Sequence, residues 1–181
     1  MRKVKYSVAS SLDGFIARPD GSVDWLFTDG DYGMSEFFKS IDAALLGRKT
    51  YEFAISHGPK PKKSRNSQKK SRFGLKSYLF SRTTKPMPGE DVELVNENAG
   101  EFVRRLKSES GKDIWLLGGG ELARSLLAEG VVDEIALAVH PVLLGSGIPL
   151  FPEIGKQIKL ELMESKPHSN GLVRLVYSVK N

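Results

Sequence analysis

The fold of this chain follows from residues 113–127, which read DIWLLGGGELARSLL. An apolar run of strand character ends in three glycines, and a helical pattern of apolar residues begins immediately afterwards. Three glycines remove side chains at a place where a ligand could approach the backbone. A helix that begins just beyond them offers free N–H groups and a partial positive charge. The stretch therefore predicts a strand, a tight turn and a helix start suited to an anion such as a nucleotide phosphate.

The triple glycine does not match the common nucleotide-binding motifs. Ala123 occupies the third glycine position of a G-x-G-x-x-G motif, and no Gly-Lys-Ser/Thr follows as in a Walker loop. Asp133 and Glu134 come too early to be the ribose-binding acid that follows about 20 residues after such a motif. A tight turn without any ligand is the alternative interpretation.

Length and composition indicate an ordinary globular protein. The chain has 181 residues, 40% hydrophobic and 27% charged, which predicts one domain over residues 1–181 with a substantial core. No window approaches the roughly 18 apolar residues of a membrane span, and the N-terminus runs directly into a strand pattern. We therefore expect a cytoplasmic protein. Cysteine is absent and the three histidines are widely spaced, so we expect neither disulfides nor a metal site.

The positive charge is local. Seven of the 27 basic residues lie within residues 59–74, and the other 20 are balanced by 22 acidic residues. The composition of residues 57–73 is typical of a mobile, solvated loop. This basic segment could also be a flap that attracts a phosphorylated substrate, or a contact for nucleic acid. The lack of interleaved aromatic residues disfavours nucleic acid.

Strand-like and helix-like segments alternate along the chain. We predict strands at residues 3–10, 43–46, 76–81, 92–95, 114–117 and 134–139, and helices at residues 35–41, 49–56, 97–108 and 121–128. Two further alternating segments, residues 159–164 and 172–179, flank a turn at residues 169–171 and predict a hairpin. The fold class is therefore α/β, a mostly parallel central sheet between helices with a C-terminal antiparallel hairpin.

Two other predicted strand ends carry anion-binding residue types. The first strand end continues as Gly47-Arg48-Lys49-Thr50 into a helix, and the second as Ser81-Arg82-Thr83-Thr84. Cations at a helix start, or a guanidinium flanked by hydroxyls, suit a phosphate. A solvated basic turn capped by Thr50 and an ordinary polar loop are the alternatives. Since open α/β sheets bind ligands at the carboxyl ends of their strands, the repetition favours one nucleotide site.

The order of these motifs resembles a known family. Five segments carry the resemblance: residues 10–17 (SSLDGFIA), 47–52 (GRKTYE), 81–82 (SR), 118–122 (GGGEL) and 140–147 (HPVLLGSG). Together they are similar to the dihydrofolate-reductase-like superfamily, and more closely to the reductase domain of the riboflavin-biosynthesis deaminase/reductase. The resemblance extends from about residue 3 to residue 179. It implies a three-layer dihydrofolate reductase-like fold of about eight strands and a homodimer.

The resemblance also implies NADPH as the cofactor, with binding residues at each motif. Gly47, Arg48, Lys49 and Thr50 would line the adenosine-phosphate side, and Ser81 and Arg82 would hold the 2′-phosphate. Gly118, Gly119, Gly120, Glu121 and Leu122 would approach the pyrophosphate and nicotinamide, which Ala9 and Ile16 would flank. A cis peptide within the triple glycine is a further expectation.

Four residues are candidates for the substrate side. Asp13 could hydrogen-bond an aminopyrimidine or relay a proton as the catalytic residue, and Asp24 and Trp25 lie nearby, with the indole suited to stack on a planar ring. His140 ends a strand and could face the pocket. The alternatives are an Asp-Gly turn residue for Asp13, a core anchor for Trp25 and a structural hydrogen-bonding role for His140.

The chain also departs from its relatives. In dihydrofolate reductases an acid on the first helix contacts the pterin, and here Asp31 and Glu36 lie near that position without aligning. We also expect no deaminase part, since the sequence lacks the Cys and His zinc ligands that it would need. The leading hypothesis is therefore a stand-alone NADPH-dependent reductase that transfers hydride to an aminopyrimidine or pterin-like substrate. A dihydrofolate or pteridine reductase and a non-catalytic nucleotide- or nucleic-acid-binding protein are the alternatives.

Overall fold

The chain is organised around an eight-stranded sheet. A computed structural model describes residues 1–58, 60–63 and 70–180. Among these residues no helix is long and apolar enough to cross a membrane. In chain order the elements are β1 (Val4–Ser11), β2 (Phe15–Ala17), α1 (Met34–Ser40), β3 (Ile41–Gly47), α2 (Arg48–His57), β4 (Lys62–Lys63), β5 (Lys70–Ser71), β6 (Lys76–Phe80), β7 (Val92–Val95), α3 (Ala99–Ser108), β8 (Asp113–Gly118), α4 (Gly120–Ala128), β9 (Glu134–His140), β10 (Ile148–Pro149), β11 (Lys159–Pro167) and β12 (Val173–Lys180).

The strand order confirms the predicted fold class. The large sheet runs β11-β12-β9-β1-β8-β3-β6-β7. The strands from β9 to β7 are parallel, whereas β12 is antiparallel to β9 and β11 is antiparallel to β12. The predicted C-terminal hairpin turns at Gly171, whose φ of 87° favours glycine. Because β8 lies between β1 and β3, the end of β8 adjoins the ends of both strands.

Helices cover both faces of the sheet, since successive residues of a strand point to opposite sides. Ile114 and Leu116 of β8 belong to a major core that includes the inner residues of α3 and α4. Trp115 points to the other face and belongs to a minor core against which Phe37 of α1 packs. The two rings meet edge to face with centroids 5.6 Å apart. Burial on both faces explains why the parallel strands β3, β8 and β9 contain continuous apolar runs.

The predicted mobile loop at residues 57–73 is wrong for the part that the structure describes. His57 ends α2, and β4 and β5 form a short antiparallel ladder in which Lys62 is opposite Ser71. Residues 59 and 64–69 lie outside the described residues. Composition misled the prediction because the ladder is held by contacts with residues that are distant in sequence.

A buried ion pair provides the main contact of this kind. The Arg72 guanidinium lies 2.7 Å from a carboxylate oxygen of Glu90, and their side chains are only 10% and 5% exposed. The Tyr51 hydroxyl donates to the other Glu90 oxygen at 2.9 Å and accepts from the Met87 amide at 2.8 Å. The ion pair therefore ties the end of β5 to α2 and to the loop that follows β6.

Candidate functional site

Three of the predicted motifs meet at one edge of the sheet, which we call the glycine edge: Gly47, Ser81 and residues 118–120. Strands β8, β3 and β6 are adjacent and parallel, with Leu46 opposite Gly118 and Gly47 opposite Phe80. Their carboxyl ends therefore lie side by side, although the motifs are separated by more than thirty residues in the sequence. In an open α/β sheet this edge is where ligands bind.

The backbones of β3 and β8 approach each other closely at this edge. A Cβ atom on Gly47 would lie 3.2 Å from the Gly119 nitrogen, and one on Gly119 would lie 3.1 Å from the Thr50 hydroxyl oxygen. The peptide bond between Gly118 and Gly119 is cis, which confirms that expectation. The glycines thus leave a bare backbone surface between the two strand ends.

Two helices begin at the glycine edge. Gly47 is the N-cap of α2 and Gly119 is the N-cap of α4, so neither helix start has a capping side chain. Thr50 lies within α2 and is not its cap. Their first backbone N–H groups point toward the edge, where the helix dipoles favour negative charge. Of the predicted residues on α4, Leu122 is buried, whereas Glu121 is exposed and hydrogen-bonded to Arg124.

The predicted cations differ in how they are held. The Arg48 guanidinium donates to Glu52 at 2.9 Å, and Thr84 donates to the same carboxylate at 2.7 Å. These contacts, the one from Thr84 above all, lower the pKa of Glu52. Lys49 and Arg82 are exposed, and Arg82 makes no hydrogen bond or ion pair with the described residues. Lys49 likewise makes no such contact with the described residues, so Lys49 and Arg82 are the cations at this edge most available to a phosphate.

The Ser81 side chain stabilises a turn at the glycine edge. Its hydroxyl accepts hydrogen bonds from the backbone N–H groups of Thr83 and Thr84, at 3.2 and 2.8 Å. This closes the turn in which Arg82 is exposed. The predicted contact between Ser81 and a 2′-phosphate stays a prediction, and the structure adds that Ser81 shapes the loop that presents Arg82.

A cavity of about 290 Å³ opens beside the glycine edge, on the face of the sheet that carries the minor core. We call it the sheet cavity. Its floor includes Ala9, Leu117 and Ala138, from three neighbouring strands, and Leu26 and Phe27 contribute to its walls. Leu117 directly precedes Gly118, so the cavity lies next to the glycine edge, although Gly47, Ser81 and residues 118–120 do not line it. Such a pocket is at the small end of the usual range for ligands, about 300–1,000 Å³.

The charge of the sheet cavity is unusual for a pterin site. Arg174 of β12 is the one charged residue among the described residues that line it. Asp31 and Glu36, the acids closest in sequence to a pterin-binding position, do not line the cavity. Asp31 accepts hydrogen bonds from Ser35, and Glu36 pairs with Lys39 on the outer side of α1. The cavity therefore presents a cation and no carboxylate.

Asp13 joins two loops at the edge of the site. Its carboxylate accepts hydrogen bonds from the Ser11 hydroxyl at 2.6 Å and from the Leu144 and Gly145 backbone N–H groups at 3.1 and 2.7 Å. These contacts, Ser11 first, lower the pKa of Asp13. A carboxylate held in this way is a poor proton donor, so the geometry favours positioning of the loops over the predicted proton relay.

His140 is held as a neutral ring. Its Nε2 accepts from the Phe27 backbone N–H at 3.2 Å, so its Nδ1 donates to the Ala138 carbonyl at 3.0 Å. Burial lowers its pKa, partly offset by the carbonyl contact. The Trp25 ring meets it edge to face, with centroids 5.2 Å apart. His140 lines the cavity, yet neither nitrogen is free: Nε2 holds the segment that covers the ring, and Nδ1 is bound to a carbonyl of its own strand.

Of the remaining predicted residues, Ala9 lines the cavity, whereas Asp24 and Ile16 do not. Asp24 pairs with Arg18 at 2.6 Å on an exposed turn, and this contact lowers the pKa of Asp24. Ala9 lines the cavity floor, and Ile16 of β2 packs against the major core. Sequence reasoning missed Arg174. The available signal was a cation in the middle of an alternating apolar strand, at residues 172–179.

A second cavity, of about 350 Å³, lies between the loop before Asp24 and the α2 helix. Phe53 and His57 line it, and their rings stack with centroids 4.6 Å apart. The same helix begins at Arg48, so the cavity extends along α2 away from the glycine edge. An exposed aromatic pair of this kind suits a planar ring.

Comparison with known proteins assigns the chain to a family. The model of the RibD C-terminal domain matches residues 2–174. Two proteins of Bacillus subtilis (strain 168) are similar over nearly the whole chain. Uncharacterized protein YyaP is 37% identical and covers 97% of this chain and 94% of its own. Uncharacterized protein YwjB is 40% identical, with 91% of each chain covered.

Solved structures are similar to the chain as well. A putative riboflavin biosynthesis protein from Shewanella sp. PV-4 has a TM-score of 0.80 at 25% identity, with both chains fully covered. A Thermotoga maritima diaminohydroxyphosphoribosylaminopyrimidine deaminase/5-amino-6-(5-phosphoribosylamino)uracil reductase has a TM-score of 0.72 at 15% identity, over 99% of this chain and 57% of its own. Dihydrofolate reductase from Enterococcus faecalis, complexed with NADP(H), has a TM-score of 0.68 at 15% identity, over 99% and 97%. The last two likenesses concern the fold.

Proposed function

The chain belongs to the RibD C-terminal domain family, and on that premise we propose that it is an NADPH-dependent reductase of an aminopyrimidine. The substrate class resembles the 5-amino-6-(5-phosphoribosylamino)uracil named for the Thermotoga protein. One observation carries the proposal: three anion-binding strand ends lie side by side and adjoin a cavity of ring-binding size.

The glycine edge fits a dinucleotide. The bare backbone between Gly47 and Gly119 leaves room for a pyrophosphate, and the starts of α2 and α4 supply N–H groups. Arg82 has a guanidinium free for a 2′-phosphate, the group that distinguishes NADPH from NADH. When bound, NADPH supplies a hydride. In our proposal Gly47, Arg48, Lys49, Thr50, Ser81, Arg82 and residues 118–122 hold the cofactor, and Ala9 and Ile16 flank its nicotinamide.

The sheet cavity fits the second ring. Ala9 and Ala138 keep the floor free of large side chains, so a substrate ring can lie on it, and Leu26 and Phe27 add apolar walls. Orientation of two rings in a dry site supplies most of the rate, as in other hydride-transfer enzymes. Since Asp13 is held as a carboxylate, we propose that it positions the loop around Gly145 and that solvent supplies the proton.

Substrate-dependent oxidation of NADPH tests this function. We expect the purified chain to oxidise NADPH with the ribosylaminopyrimidine and not with dihydrofolate, because the cavity lining offers Arg174 and no carboxylate for a pterin. Turnover of dihydrofolate alone would favour the pteridine reductase. Absence of any rise in melting temperature with either coenzyme, at concentrations on the order of 1 mM, would reject the reductase proposal altogether.

Arg82→Gln tests the coenzyme assignment. We expect NADPH binding to weaken by about tenfold to a hundredfold, because a charge-assisted contact to the 2′-phosphate is lost, while NADH binding stays unchanged. Titration with both coenzymes measures the effect. Arg105→Gln is the matched control, since Arg105 pairs with Glu97 on α3 away from the glycine edge. If the binding of NADH and of NADPH weakened equally, the assignment of Arg82 to the 2′-phosphate would be wrong.

We also propose a homodimer formed through β11. This strand is the edge of the sheet and exposes Leu160, Leu162 and Met163, at 42%, 53% and 59%. An exposed apolar edge strand is a surface for association. Sedimentation should give a dimer for the natural chain and a monomer for Leu162→Lys. A monomeric natural chain would contradict the proposal.

Nucleic acid is not part of the proposed function. Of the basic segment at residues 59–74, the described Arg72 is committed to the buried pair with Glu90. That contact leaves one cation fewer at the surface for a macromolecular partner.

A further inference from the structure

Arg174 is the feature of the sheet cavity that the proposed function leaves unexplained. Its neighbours in the lining are aliphatic, aromatic or small, and it is the one charged side chain among the described lining residues. A cation in a small, mostly apolar pocket selects for a ligand with negative charge, because the pocket offers little water to satisfy either partner.

The strand register places Arg174 at a definite distance from the proposed nicotinamide position. Arg174 of β12 is opposite Ala138 of β9, and Ala138 is opposite Ala9 of β1. Neighbouring strands are about 4.8 Å apart, so the Cα atoms of Arg174 and Ala9 are separated by about 10 Å across the floor. The alanine side chains between them leave this path open. A one- or two-ring compound that carries an acidic group spans this distance.

The guanidinium already has a partner that a ligand can replace. Arg174 pairs with Glu164 of the edge strand β11 at 2.5 Å. The Glu164 side chain is 45% exposed, whereas that of Arg174 is 25% exposed. Gly33 packs beside the guanidinium, since a Cβ there would lie 3.5 Å from its Nε. An ion pair with a solvated carboxylate contributes little, so an acid inside the cavity can compete with Glu164.

We propose that Arg174 is a specificity-determining residue that binds an acidic group, a carboxylate or a phosphate, on the substrate ring system. The acidic group lies at the β12 end of the sheet cavity, and the reacting ring lies over Ala9. The inference rests on the proposed function only in placing the reacting ring of the substrate over Ala9. Glu164 holds the guanidinium in place until the ligand arrives.

Two pairs of probes test the proposal by calorimetric titration of the full chain. The first pair compares uracil with orotate, which carries an added carboxylate on the same ring. The second pair compares uridine with uridine 5′-monophosphate, which carries an added phosphate. We expect the natural chain to bind at least one acidic member about tenfold or more tightly than its neutral partner, the scale of a hydrogen bond to a charged group. The pair that shows the preference identifies the acidic group.

Variants assign that preference to the guanidinium. In Arg174→Gln the preference should fall to about one, in Arg174→Lys it should persist in part, and in Glu164→Gln the acidic member should bind more tightly because its competitor is gone. Arg105→Gln, an arginine paired with Glu97 elsewhere, should behave like the natural chain. Should Arg174→Gln not fold, the Arg174→Lys and Glu164→Gln variants still give opposite expected shifts.

The outcomes separate this inference from the proposed function. An undiminished preference in Arg174→Gln, or no binding of an acidic probe to the natural chain at concentrations on the order of 1 mM, overturns the inference. The stabilisation by NADPH is measured on the same samples, because Arg174 lies outside the glycine edge. If NADPH stabilises the chain but the chain shows no preference for acidic probes, only the inference about Arg174 is overturned. If the chain prefers acidic probes but NADPH does not stabilise it, the inference is supported and the reductase proposal is rejected.

Discussion

The glycine edge and the sheet cavity are neighbours, yet they are built in opposite ways. The glycine edge consists of contiguous motifs, each placed where a strand passes into a turn or helix, and the groups that it offers to a ligand are mainly backbone N–H groups, with exposed cations beside them. The sheet cavity consists of single side chains, such as Ala9, Ala138 and Arg174, contributed by strands far apart in the sequence. One site is made by the backbone and the other by side chains.

This difference suggests that the two sites have separate functions in ligand recognition. A site made of backbone groups binds a ligand of constant chemistry, and its geometry survives many side-chain changes. A site made of side chains from separate strands can change its ligand by single substitutions, at little cost to the fold. We therefore expect the glycine edge to determine the coenzyme and the sheet cavity to determine the substrate. The following predictions test that comparison, from the largest effect to the smallest.

The ion pairs beside the two sites should differ most in their contribution to stability. Glu90→Ala leaves the buried Arg72 without its carboxylate, and we expect the free energy of unfolding to fall by about 3 kcal/mol or more. Glu164→Ala removes the exposed partner of Arg174, and we expect a loss below about 1 kcal/mol. Urea denaturation of both variants measures the two values. Similar losses in the free energy of unfolding would show that burial does not determine how much each ion pair contributes to stability.

Substitution of Gly47 should affect the coenzyme and leave the cavity intact. Its Cβ would lie 3.2 Å from the Gly119 nitrogen, so we expect NADPH binding to weaken by about tenfold in Gly47→Ala and about a hundredfold in Gly47→Val, on the scale of overpacking costs. Coenzyme fluorescence follows the titration. Binding of the acidic probe serves as the control, and equal weakening at both sites would contradict the separation.

His140 should make the covering of the cavity sensitive to acid. Burial lowers its pKa in the folded chain below the value of about 6.5 of the unfolded chain. Between these values the unfolded chain binds more protons, so stability falls as the pH drops below about 6.5 and continues to fall down to the folded pKa. This is the smallest of the three effects.

His140→Gln provides the comparison for this effect. The free energy of unfolding is measured for both chains by denaturation at about pH 7.5 and pH 5.5, on either side of the unfolded pKa. We expect the natural chain to lose more stability between the two values than the variant. An identical loss would mean that another group accounts for the acid sensitivity.

Much of the fold could be predicted because its signals are local. The apolar run before Gly118, the Asn-Gly turn before Leu172 and the helical pattern around Phe102 each lie within a few residues. The structure confirms the corresponding strand, hairpin and helix. The β4–β5 ladder was not predicted, because the pair of Arg72 with Glu90 beside it joins positions that no local pattern connects.

In the candidate site, too, features with a local signal could be predicted, and contacts between distant residues could not. The glycine motifs and the cis peptide between Gly118 and Gly119 were expected from the resemblance, whereas the role of Asp13 as a link to Gly145 was not. Its carboxylate meets backbone N–H groups more than 130 residues away. Which residues bind NADPH, and whether the chain forms one domain and a homodimer, stay predictions.

The sequence by itself determined the alternation of strands and helices and placed residue types suited to an anion at three strand ends. Both depend on short-range forces: the period of side-chain burial, glycine at turns, and free N–H groups where helices begin. Only the tertiary structure decided that β8 lies between β1 and β3, and that Arg174 faces Ala9 across Ala138. Strand order and register arise from packing over the whole chain, so a cavity lined by four strands has no local signature.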